Sequence, residues 1–165
     1  MAKLIKNRAF VEGDKWHRVA DDQLVNEYSI ITLERWKAEH HDLQRFASAG
    51  KLGLWLSSEQ TLEQFEDVFR NFGVIAIDFP KFTDGRGYST ARLLRERLEY
   101  SGEIRATGDV LIDQLFFMQR VGFDAFELRA DQDEAEAIKA FTTFSNPYQG
   151  DVADARPLFR RQVRA

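Results

Sequence analysis

Val74-Ile75-Ala76-Ile77-Asp78-Phe79-Pro80-Lys81-Phe82-Thr83-Asp84-Gly85-Arg86-Gly87-Tyr88-Ser89-Thr90 reads as a strand, a charged loop and the mouth of a helix. Val74 to Phe79 is short, β-branched and nearly all apolar, as expected of a strand covered on both faces in a parallel sheet. Pro80 has no N–H to give a ladder, so pairing should stop there. Ser89 can cap the following helix, in which Ala91, Leu94 and Leu98 recur at helical spacing.

In a parallel α/β sheet such a loop lies beyond the carboxyl ends of the strands, where these folds hold ligands. Gly85 and Gly87 allow close backbone approach. Lys81 and Arg86 add positive charge beside a helix N-terminus, and an arginine grips oxyanions by paired hydrogen bonds. Lys81, Gly85, Arg86, Gly87 and Ser89 therefore form a candidate site for sulfate, sulfite, phosphate or a carboxylate. The alternative is a stiff structural loop in which Asp84 neutralises Arg86.

The rest of the chain repeats the pattern. Tyr28 to Ile31, Leu52 to Leu56, Glu103 to Thr107 and Phe123 to Leu128 read as further strands. Thr32 can cap a helix with Leu33, Trp36, His40, Leu43 and Ala47 on one face. Ser57 and Gln60 offer a capping box before Leu62, Phe65 and Phe69, and Gly108-Asp109 can start a helix carrying Leu111, Leu115 and Met118. That last helix is apolar enough to be buried or to form a homodimer face. Asp131 with Glu134 can open a final helix. Leu4 to Val19 alternates around Gly13-Asp14 and reads as a β-hairpin with Trp16 packed on the domain.

About five strands alternating with helices define an α/β domain with a mostly parallel sheet. A flavodoxin-like doubly wound sheet is the first choice and a half-barrel of βα units the second, with the hairpin appended. The domain should span 1–148. A basic tail follows at 149–165, carrying Arg156, Arg160, Arg161 and Arg164. Parallel strands gather their carboxyl ends on one rim, which brings Ser57, Ser58, Asp78, Thr107, Asp109, Glu127 and Arg129 together beneath Arg86 and Tyr88. Asp78 and Glu127 are weak candidates for a general base, should burial raise their proton affinity.

Composition narrows the chemistry. The 165 residues contain no cysteine, which removes thiol catalysis, disulfide exchange and cysteine-held metal or iron–sulfur centres from this chain. Electrons for any redox step must come from a bound organic cofactor, whose identity the sequence does not give, or from a partner. No G-x-G-x-x-G follows a strand. A net charge of −4 gives no reason to expect nucleic acid. Adjacent His40 and His41 point apart on a helix, so no metal site is expected. No apolar run is long enough to span a bilayer, and Met1 to Asn7 lacks a signal-peptide core, so a cytoplasmic protein is expected.

The stretches Asp78 to Ser89, Gly108 to Phe117 and Gly122 to Leu128 resemble a family of uncharacterised bacterial proteins. That family carries DFPKFTDGRGYS, GDV-x-x-DQLFF and GFDAFEL in this order. The resemblance covers roughly Leu52 to Gln149. Family members are labelled oxidoreductases of sulfite reduction, and their genes commonly lie beside those of sulfite reductase and phosphoadenosine-phosphosulfate reductase. The resemblance thus implies a role in assimilatory sulfite reduction and either reductase as a partner, and carries no catalytic residue with it. The competing classes are a flavin- or nicotinamide-dependent oxidoreductase and a non-catalytic assembly protein.

Overall fold

The computed structural model describes residues 3–142, so the expected tail at 149–165 lies outside the described residues. Eight strands form one sheet in the order β2-β1-β8-β7-β6-β5-β4-β3. They are β1 (Lys3–Lys6), β2 (Ala9–Phe10), β3 (His17–Arg18), β4 (Ser29–Thr32), β5 (Leu52–Leu56), β6 (Val74–Phe79), β7 (Glu103–Gly108) and β8 (Ala125–Leu128). Strands β3 to β8 run parallel, while β1 pairs antiparallel with β8 and with β2.

The parallel strands follow one another in sequence without reversal. With right-handed crossovers, that order places every connecting helix on the same face. Accordingly, Leu33 and Trp36 of α1 (Leu33–Ser48), Ala91 and Leu94 of α2 (Arg86–Glu96), Leu115 and Met118 of α3 (Ile112–Val121) and Ala137 of α4 (Glu134–Ala140) share one core with Leu54, Ile75, Ile77 and Ile104. The opposite face carries a small separate cluster of Ile30, Val74 and Ala76 under Trp16 and Trp55. The architecture is a half-barrel of βα units. A flavodoxin-like sheet needs a point where the order of parallel strands reverses, and none exists among the described strands.

Several expectations need correction. The hairpin turns at Asn7-Arg8, both at positive φ (51° and 61°), rather than at Gly13-Asp14. The chain then crosses the sheet, and His17–Arg18 adds a parallel strand at the far edge. Between β5 and β6 the expected helix is replaced by two 3-10 turns, Leu62–Gln64 and Phe69–Asn71, although Leu62, Phe65 and Phe69 are buried as predicted. His40 is exposed, its ring against His41 at 4.1 Å. Thr32 does cap α1, accepting from Arg35 N at 3.2 Å, but Asp133 caps α4 in place of Asp131, which pairs with Arg129.

Among the described residues no helix is long and apolar enough to cross a membrane.

Candidate functional site at the carboxyl rim

Helix α2 begins four residues earlier than expected. Gly85 is its N-cap and Arg86 its first residue, so Ser89 lies inside the helix as an exposed side chain. Gly85 adopts an ordinary φ of −86° with open space around it. Gly87 is buried, and a methyl group there would sit 2.7 Å from Phe79 Cζ and 3.1 Å from Ile77 Cγ2. That glycine serves helix–strand contact, and no anion can approach it from the sheet side.

The anion position at this helix end is filled by the chain itself. The Asp84 carboxylate accepts from Arg86 N–H at 3.1 Å, from Nε at 3.0 Å and from Nη2 at 2.7 Å, and the same guanidinium donates to Ser58 Oγ at 3.1 Å. Hydrogen bonds from Arg86 and Ser58 hold the Asp84 carboxyl well below the usual carboxylate range. Lys81 is exposed and makes no ion pair among the described residues. The two cations that were expected to converge therefore do different things. Vacating the position should reveal it: Asp84→Ala is expected to gain a sulfate- and sulfite-dependent rise in melting temperature, while wild type and Arg86→Ala show none. Differential scanning fluorimetry over both anions checks this.

A second arrangement at the rim was not foreseen. Asp109 does not cap α3, which starts at Ile112. Instead its Oδ2 accepts from Phe82 N–H at 3.0 Å, and its Oδ1 accepts from Arg129 Nη1. Gln114 Nε2 donates to Phe82 O at 2.8 Å. The Asp109 N–H itself bonds Phe79 O at 2.7 Å. Both backbone polar groups of Phe82 are thus clamped by side chains of the next βα unit, yet the residue stays 56% exposed. The signal for this clamp was Gly108, at φ +88°: it turns the chain so that Asp109 faces the loop after β6.

The two carboxylates proposed as general bases also converge. Asp78 lies beside Thr107, and the register of Ala106 with Phe126 places Thr107 beside Glu127. All three occupy one row of the helix-free face, with the carboxylates two strand spacings apart, about 10 Å. Burial raises the Asp78 pKa, opposed by the hydrogen bond from Thr107 (3.3 Å) and the charge of Arg18. Arg18 reaches over the Trp55 ring, 3.8 Å from its centroid.

One row below, Arg105 is 2% exposed and is held by Glu103 (2.7 Å), Asp14 (2.8 Å) and Glu127 (3.2 Å). Lys6 joins Asp14 and Glu103, each at 2.9 Å. Glu127 is therefore half committed to a structural network, whereas Asp78 is not. An arginine between Ile104 and Ala106 in a strand was the sequence signal for buried acids nearby. No group of acids and histidines among the described residues is arranged to hold a metal ion.

Comparison with known proteins agrees with the motif resemblance at the level of family. The model of a family described as bacterial protein of unknown function (DUF934) matches residues 53–159. No curated protein matches the chain.

Proposed function

We propose that this chain, which belongs to the DUF934 family of bacterial proteins, is an accessory protein of assimilatory sulfite reduction that docks a partner reductase through Lys81 and Phe82. The sulfur setting comes from the motif resemblance. The binding role rests on one observation, the clamped backbone and exposed ring of Phe82. An aromatic ring on an immobilised backbone loses little entropy when covered, which is the property of interface anchors. The unpaired Lys81 next to it adds a charge for an acidic patch on the partner. The cysteine-free chain supplies no thiol chemistry of its own, and Arg86 already has its anion in Asp84.

The experiment is capture on the immobilised protein of purified sulfite reductase and, separately, phosphoadenosine-phosphosulfate reductase. At least one should be retained. Phe82→Ala should weaken it by about thirty-fold, as loss of an anchor worth about 2 kcal/mol does, without lowering the melting temperature. Retention of neither enzyme, or equal retention by the variant, would sink the proposal.

One observation favours a second reading, a flavin- or nicotinamide-dependent oxidoreductase. Asp78 is a half-buried carboxylate of raised proton affinity at the strand carboxyl ends. Flavin absorbance in the purified protein, or a dinucleotide thermal shift lost in Asp78→Asn, would support that reading over docking.

A further inference from the structure

The helix-free face holds a cavity of about 710 Å³ between β1 and the segment that crosses the sheet after β2. That volume lies within the range of small-molecule sites, about 300–1,000 Å³. Leu4, Val11 and Trp16 supply apolar walls, Glu12 and Glu127 supply carboxylates, and Phe10, which packs with the helix-side core, borders the outer edge. The other charges around it are matched. Lys3 pairs with Glu134 at 3.0 Å, and Arg105 with Asp14 at 2.8 Å.

The sign of the charge decides the ligand class. Among the described residues, Asp14, Glu103 and Glu127 share only Lys6 and Arg105, which leaves one negative charge in excess. Glu12 adds a second, and it makes no ion pair among the described residues. Among the described residues the Glu127 carboxylate accepts a single bond, at 3.2 Å from Arg105, and its side chain stays 33% exposed. An anion is repelled here despite the buried guanidinium, because that guanidinium already faces three carboxylates. A neutral apolar ligand fits the walls and leaves Glu127 desolvated without a new partner, which is unfavourable. A cation on an apolar body satisfies both, with Trp16 as an aromatic platform.

We propose that this cavity binds a small organic amine in its protonated form, with the ammonium on Glu127, Glu12 adding attraction, and the apolar body against Trp16 and Leu4. The site is separate from the Lys81–Phe82 rim, so it stands or falls independently of reductase docking.

Isothermal titration of the full chain with 2-phenylethylamine tests this. Binding should be measurable in the millimolar range or tighter. The uncharged isostere 2-phenylethanol should bind about ten-fold more weakly or worse, since the charge-assisted bond is lost. Glu127→Gln should lose a similar factor and Glu12→Gln several-fold, with Arg86→Ala unchanged. Glu12 is exposed and unpaired, so its variant keeps the test valid should Glu127→Gln fail to fold. No binding of the amine, equal binding of the alcohol, or wild-type affinity in both glutamine variants overturns the proposal. Binding of Nα-acetyl-lysine amide without 2-phenylethylamine would also overturn it, in favour of a lysine side chain from another protein.

Discussion

Arg105→Ala is expected to destabilise the protein by about 3–5 kcal/mol, the usual consequence of removing one partner from a buried charge network. The guanidinium is 2% exposed and holds Asp14, Glu103 and Glu127, which come from three separate parts of the chain. In the wild type, burial alone would raise the Asp14 pKa, but the hydrogen bond from Lys6 and the charge of Arg105 bring it below the ordinary value of 3.8. A depressed carboxylate pKa contributes stability that is present above the unfolded value and is lost as pH falls through the folded one. Removing Arg105 takes away one of the two cations that depress the Asp14 carboxyl and leaves Lys6, so the variant should lose less stability than the wild type as pH falls from about 5 to 3. Urea unfolding at pH 7, 5 and 3 measures both effects. A variant that unfolds at the wild-type urea midpoint at pH 7 would show that the network is not structural.

Gly108→Ala should cost about 2–4 kcal/mol, adding left-handed strain to a collision with backbone. Its φ is +88°, and a methyl group would lie 2.5 Å from Phe79 O and 2.8 Å from Asp78 Oδ1. A carbonyl within β6 cannot move aside as a flexible side chain can. The damage reaches the rim, because Asp109 follows directly and holds Phe82. Faster amide exchange at Phe82 and loss of reductase retention should accompany the fall in stability. Gly85→Ala is the control. That glycine has φ −86° and open space, so alanine there should be neutral or slightly stabilising. Equal melting temperatures for the two variants would refute the account of Gly108.

Much of the local structure was legible. The five main parallel strands, the Thr32 cap and the burial of Leu62, Phe65, Phe69, Leu115 and Met118 follow from side-chain periodicity and capping chemistry, which act over a few residues. The pairing of Asp84 with Arg86, weighed as one of two outcomes, is equally local. The rim itself was also legible, since parallel strands separated by helices must gather their carboxyl ends on one side.

What the sequence by itself determined is a cysteine-free α/β chain with a charged, glycine-bearing loop after its third main strand. Tertiary structure alone decided that strand order never reverses, so the sheet curls into a half-barrel with one face free of helices among the described residues. It alone decided that Asp14 meets Arg105 and that Asp109 holds Phe82. Periodicity reports which face of an element is apolar and is blind to which element lies beside it. Ion pairs and clamps between distant segments exist only once that packing has been chosen.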